Sequence, residues 1–153
     1  MPGDATFLEA LVTALRADIG AGSLVALTEH TSSDKRIVRG RPPKGGKLPF
    51  LGVCEFPSTP LIKEHTFVKR YLVSIIAFAG KDINAILISD RVEILFHKMG
   101  EENNSYFDFT NEDVTVYSAL WKGRVKAKKD DDLDCYADEN LIEIICNPFQ
   151  GIS

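Results

Sequence analysis

Thr66-Phe67-Val68-Lys69-Arg70-Tyr71-Leu72-Val73-Ser74-Ile75-Ile76-Ala77-Phe78 is the stretch on which the fold turns. It is rich in β-branched and aromatic residues, which fit a pleated, half-buried surface. Its first half alternates, with Phe67 and Tyr71 on one side and Arg70 on the other. Its second half, Leu72 to Phe78, is almost wholly apolar, the pattern of a strand whose two faces are both covered. Gly80 breaks it, and Asp82 can cap a helix from Ile83 to about Lys98. Ile83, Ile86, Leu87, Val92, Ile94, Leu95 and Phe96 make a wide apolar stripe on that helix, against polar Asp90, Arg91 and Glu93. Gly100 is expected to end the helix, with Glu101 to Ser105 as a polar loop.

Toward the N-terminus, Phe7, Leu8, Leu11, Val12 and Leu15 recur at helical spacing and predict a helix over Asp4 to Ile19, capped by Asp4 and ended by Gly20 and Gly22. Thr28 to Lys35 is polar and reads as loop. A short strand, Arg36 to Arg39, precedes an arm from Gly40 to Lys47 in which two prolines and three glycines rule out a regular element. Pro49 to Phe56 reads as a strand that Pro57 and Pro60 keep from continuing. Toward the C-terminus, Val114 to Lys128 predicts a long strand, with Thr115, Tyr117, Ala119 and Trp121 on one face and Val116, Ser118 and Leu120 on the other. Asp130 to Asp134 is a loop by charge repulsion, and Tyr136 to Asn147 a last strand with Ile142, Ile144 and Cys146 together. The expected class is α+β: one domain over residues 1–153, a mostly antiparallel sheet with two amphipathic helices packed on it.

At 153 residues, 44% of them hydrophobic, the chain can bury a core of ordinary size. A net charge of −4 gives no global attraction to nucleic acid or an anionic membrane. Cys54, Cys135 and Cys146 are odd in number and widely spaced, which suits reduced thiols in a cytoplasm rather than a disulfide framework or a metal site. Asp4 and Glu9 interrupt any leader-like opening, and no apolar run approaches the roughly 20 residues that cross a bilayer, so a soluble protein without membrane contact is expected.

Signals of chemistry are sparse. His30, His65 and His97 are far apart in sequence, and only a Cys–His pair assembled through space would make them catalytic. Asp130 to Asp134 lacks the glycine and distal glutamate of a calcium loop, and Gly40 to Gly46 lacks the ending of a P-loop. Glu101 with Glu102, and Asp108 with Glu112, sit in polar stretches where water keeps both ionised. The residues therefore point to no catalytic group, no metal and no cofactor.

Charge placement says more. Lys35, Arg36, Arg39, Arg41, Lys44 and Lys47 form a basic run without an acid, and Asp130, Asp131, Asp132, Asp134, Asp138 and Glu139 an acidic run without a base. Two solvated loops would explain this. The sharper reading is a head-to-tail interface in which Arg39, Arg41, Lys44 and Lys47 of one copy meet Asp130, Asp131, Asp132 and Asp134 of the next, since heterologous contacts close into rings when the rotation permits. Phosphate contact by the arm is the competing reading, but no aromatic interleaves the bases.

In element order the chain resembles the tail-terminator, or tail-completion, proteins of long-tailed bacteriophages. The likeness lies in the opening helix Phe7 to Leu15, in the arm Gly40-Arg41-Pro42-Pro43 leading to Leu48-Pro49-Phe50-Leu51, and in the strand Tyr71 to Ala79 running into Asp82-Ile83-Asn84-Ala85-Ile86 and Ser89-Asp90-Arg91-Val92. The resemblance implies a ring, commonly hexameric, that caps the tail tube, joins it to neck or connector proteins, and lets DNA through its lumen without specific binding. It implies a virion protein made in the host bacterial cytoplasm, with no catalytic residues. The long loop at Thr28 to Lys35 and the segment Asn103 to Asp113 depart from the family pattern. The arm and the segment Glu101 to Asn111 are the expected contacts with other subunits. The alternatives are another head–tail connector component, adaptor or stopper, and a small enzyme or ligand-binding domain on the same scaffold.

Overall fold

The structure is a computed structural model that describes residues 2–55, 59–62, 65–103 and 107–149. In chain order it contains α1 (Pro2–Arg16), α2 (Leu24–Thr28), β1 (Ile37–Arg39), β2 (Phe50–Glu55), β3 (Thr59–Ile62), β4 (His65–Ala79), α3 (Asp82–Asn103), β5 (Thr115–Asp130) and β6 (Cys135–Asn147). The sheet has six strands in the order β1-β2-β4-β6-β5, with β3 also paired to β4. Every pairing is antiparallel except β1 with β2, which is parallel. The α+β class with a mostly antiparallel sheet is therefore observed, as a mixed sheet with one short helix beyond the two expected.

Strand β4 is central because it is the longest apolar segment, and it pairs with β2 and β3 on one edge and β6 on the other. Tyr71, Val73, Ile75 and Ala77 project to one side and meet Ile142 and Ile144 of β6 and Leu51 and Val53 of β2, all buried. Both long helices lie on that side. Phe7, Leu8, Leu11, Val12 and Leu15 of α1 are buried, as the helical spacing predicts, and Phe7 stacks on Tyr71 at 4.0 Å between ring centres. The other side of β4, β6 and β5 carries no helix among the described residues. Near the β5–β6 turn Phe50, Phe78 and Cys135 form a second, smaller buried cluster there with Leu48 and Leu133, while Leu72, Leu120 and Val125 on the same side stay exposed.

Several boundaries differ from expectation. Helix α1 begins at Pro2, which places Asp4 inside the first turn instead of at the cap, a start that suits proline's fixed φ. Helix α3 passes through Gly100 to Asn103, because an isolated glycine lowers helix stability by only about 1 kcal/mol. Thr28 closes the short helix α2, capped by the Ser23 hydroxyl on the Ala26 amide, so the expected loop begins one residue later. The chain resumes as β3 after Pro57; Pro60 is tolerated because β3 is an edge strand with an irregular register.

Two faces are corrected. The expected stripe of α3 put Ile83, Leu87 and Ile94 inward, yet these are 55%, 46% and 43% exposed, and the buried line is Ala85, Ile88, Ser89, Val92 and Phe96. In β5 the register slips between Val116 and Ser118, again between Trp121 and Gly123, and again between Val125 and Lys128. The first slip carries Val116 and Ala119 inward together and turns Tyr117 and Leu120 outward, which strict alternation does not allow.

Candidate interaction surface

The basic arm and the acidic run meet within one chain. Arg41 donates to Asp130, which ends β5, and its guanidinium lies 5.5 Å from the Phe78 ring centre. The other Asp130 oxygen accepts the amides of Asp132 and Leu133, so this aspartate builds the β5–β6 turn as well as holding the arm. Arg39 and Lys44 are exposed, and Lys47 lies 3.9 Å from Asp34. Asp131 and Asp132 are exposed, and Asp134 lies 3.6 Å from Lys129. Arg41 and Asp130 thus satisfy each other in the monomer, leaving Arg39, Lys44, Lys47, Asp131, Asp132 and Asp134 at the surface. The acidic run also divides. Asp138 and Glu139 belong to β6 and point to opposite sides of the sheet, Asp138 fully buried on the helix side.

The helix-free side of the sheet carries Leu72, Leu120 and Val125, exposed by 39%, 48% and 40%. Around them Arg70 donates to Glu143 and Ser74 to Glu139. A shallow cavity of about 360 Å³ lies at one end, between Arg41, Ile76, Val125, Lys128 and Glu139. Cys54 opens toward the same side half-buried, and burial raises its thiol pKa, so it is a poor nucleophile. Cys135 and Cys146 are buried, and none of the three cysteines is disulfide-bonded.

A second group of functional side chains carries no signal in the sequence. Arg124 reaches from β5 under α3, where its Nε donates to Asp138 at 2.7 Å, its Nη1 to Asp90, and its Nη2 to the Ile86 carbonyl at 3.2 Å. Beside it Ser89 donates to the Asp138 carbonyl, Asn140 to the Ser89 carbonyl, and the Trp121 indole to Asn140 at 2.8 Å. Burial disfavours the Arg124 charge, but the hydrogen bonds and charges of Asp138 and Asp90 outweigh it and raise its pKa further. A groove of about 570 Å³ opens next to this cluster, lined by Asp82, Ile86, Glu93 and Lys126. The polar atoms of the cluster are spent on each other, so its chemistry is structural: it fastens α3 to the β5–β6 hairpin.

Asp18 and Arg91 tie the end of α1 to α3. The carboxylate accepts from Arg91 at 2.9 and 2.7 Å and from the Leu24 amide at 2.8 Å. Burial alone would raise the Asp18 pKa, but the Arg91 and Leu24 hydrogen bonds reverse this and hold it below the usual aspartate range. A folded-state pKa below the unfolded one contributes stability above the unfolded value, which is lost as pH falls through the folded value. Asp18→Asn should therefore lower stability at pH 7 by about 1–2 kcal/mol and flatten the decline below pH 4. Urea midpoints measured from pH 7 to pH 2.5 check this; parallel acid limbs in the two proteins would refute it.

His30 accepts the amides of Arg36 and Ile37 at its Nδ1, at 2.9 and 3.2 Å. Burial, then the charges of Arg16 and Lys35, lower its pKa, so it is a neutral acceptor that braces the start of β1. The side chains of His65 and His97, and residues 104–106 of the expected contact segment, lie outside the described residues. Among the described residues no group of three His, Cys, Asp or Glu is placed to hold a metal ion, and no helix is long and apolar enough to cross a membrane. No protein-family model and no curated protein matches the chain.

Proposed function

We propose that this chain is a structural subunit of a phage tail, of the terminator kind. Copies form a ring, commonly of six, that closes the tail tube and joins it to the neck in the virion. Its partners are further copies of itself, tail-tube protein and neck or connector proteins; DNA crosses the lumen without specific binding, and no reaction is catalysed. The observation that carries this reading is the helix-free sheet side, where Leu72, Leu120 and Val125 stay in water. Exposed large apolar side chains gathered on one face mark a surface used for association. The resemblance in element order supplies the identity of the assembly.

Support also comes from how the buried polar groups are used. Arg124, Asp138, Asn140 and Trp121 bond to one another, and Asp18 to Arg91, which stiffens the domain without presenting groups that converge on a substrate. A rigid body with sticky faces suits a ring component. The test is the mass of the purified protein by light scattering, alone and mixed with tail-tube protein. A discrete oligomer that binds tube ends is expected. A monomer at every concentration that ignores tube ends would overturn the proposal, and an oligomer that binds only the connector would reassign it to the adaptor or stopper class.

A further inference from the structure

The Nδ1 atom of His30 accepts two backbone amides at once, from Arg36 at 2.9 Å and from Ile37 at 3.2 Å. A ring nitrogen accepts only while it carries no proton, so the neutral ring holds its hydrogen on Nε2. A second proton has to enter at Nδ1, where two N–H groups already point. The two bonds and the charged ring exclude each other.

These bonds sit at a short edge of the sheet. Strand β1 is three residues long and ladders only with β2. The Ile37 amide is taken by His30 and the Ile37 carbonyl by Nε of Arg16 at 2.8 Å, so both groups are held from outside the sheet. His30 is itself fixed to α2, its own amide donating to the Val25 carbonyl at 3.1 Å. The ring is thus a clasp between α2 and β1. Just beyond β1, the Gly40 amide donates to the Val53 carbonyl at 2.9 Å, and there the basic arm is rooted.

The surroundings resist a charged ring as well. Burial disfavours the cation first, then Arg16 of α1 and Lys35 of the loop, while the Asp34 carboxylate favours it. Asp34 is engaged by the Arg36 guanidinium, with Lys47 at 3.9 Å. Glu29, next to His30 in the chain, is exposed and acts on Arg36, and α2 contains no charged residue.

We propose that His30 is an acid-sensitive clasp: when its ring takes up a second proton, β1 and the root of the arm come away from β2, while β2, β4, β6 and β5 stay paired. This goes beyond the ring reading and does not depend on it. Opening bares the edge of β2 from Leu51 to Val53, a row of backbone groups able to pair with another strand. The direction in pH follows from the bonds. A folded-state pKa below the unfolded one keeps the clasp fully closed above the ordinary histidine range and weakens it as pH falls through that range. Asp34, held below the usual carboxylate range by Arg36, stays charged throughout that window, and Asp18 likewise titrates below it.

Amide exchange of the full-length chain, read by NMR as protection factors at about pH 7.5 and about pH 5.5, tests this. In wild type the protection of Ile37, Val38 and Gly40 should fall severalfold at the lower pH, while β4 and β6 keep theirs. The His30 ring nitrogens should titrate with the same midpoint. His30→Asn carries a carbonyl oxygen on Cγ, where Nδ1 stands in histidine, so it keeps an acceptor that does not titrate. Its β1 protection should be equal at the two pH values. His30→Phe keeps a ring without an acceptor and should be open at both. Wild-type protection that does not change with pH, or a ring titration whose midpoint differs from that of β1 opening, overturns the proposal. So does loss of protection in β4 and β6 together with β1, because acid would then be unfolding the whole domain. A His30→Asn protein that still opens in acid also overturns it, since another group, His65 or His97 among them, would be the one that titrates.

Discussion

Replacing Arg124 by methionine should cost about 3–5 kcal/mol of unfolding free energy, the usual loss when one partner of a buried ion pair is removed. The reason is the partner left behind. Asp138 is fully buried, and without Arg124 its carboxylate keeps no cation within reach among the described residues. Asp90, the other carboxylate on Arg124, is 49% exposed and can turn to water. Asp90→Asn should therefore cost no more than about 1 kcal/mol. Adding Asp138→Asn to Arg124→Met should recover much of the loss, because the uncompensated charge disappears with it. Urea unfolding followed by circular dichroism measures all four proteins. A loss below about 1 kcal/mol for Arg124→Met, or no recovery in the double variant, would show that the cluster is not an ion pair that fastens α3.

How much of this was legible in the sequence depends on what each feature needs. Helix α1 needs only its own spacing, and Phe7, Leu8, Leu11, Val12 and Leu15 give it. Strand β6 likewise shows Ile142, Ile144 and Cys146 on one face, and all three are buried. Helix α3 is apolar over too much of its circumference for periodicity to choose a side. The side that turns inward contains Ala85 and Ser89, small residues that let the helix approach the sheet, while larger Ile83 and Leu87 stay out. The faces of β5 depend on bulges at three places, and nothing in a run such as Trp121-Lys122-Gly123-Arg124-Val125 fixes where an extra residue falls. For the same reason the Arg124–Asp138 pair was invisible: its two members come together only through a register that the bulges reset. The basic arm and acidic turn were plain as runs of charge, but their contact joins residues 89 apart and needs the strand order to be seen.

Phe7→Ala should be the other severe substitution, at about 3–5 kcal/mol for a buried Phe truncated to Ala. Phe7 is fully buried, its ring parallel to Tyr71 within 4° and tilted against Phe109 at 5.9 Å. Truncation removes the ring from the junction of three elements: α1, the centre of β4, and the chain leading into β5. A helix of 15 residues is marginal in water without tertiary contacts, so α1 depends on this packing to exist as well as to dock. Two outcomes can be told apart by amide hydrogen exchange. If Phe7 anchors the whole core, the variant shows a lower urea midpoint and faster exchange in β4 and β6 together with α1. If it anchors α1 alone, exchange accelerates only in α1, the Asp18–Arg91 contact opens with it, and the sheet keeps its protection. The single hydrophobic cluster that joins Phe7, Tyr71, Ile88, Val92 and Phe109 argues for the first. Phe7→Leu, which keeps most of the buried volume but not the stacked ring, should fall between, losing roughly 1–2 kcal/mol. A loss for Phe7→Ala no greater than that for Phe7→Leu would mean that α1 and the sheet are held together by something other than this contact.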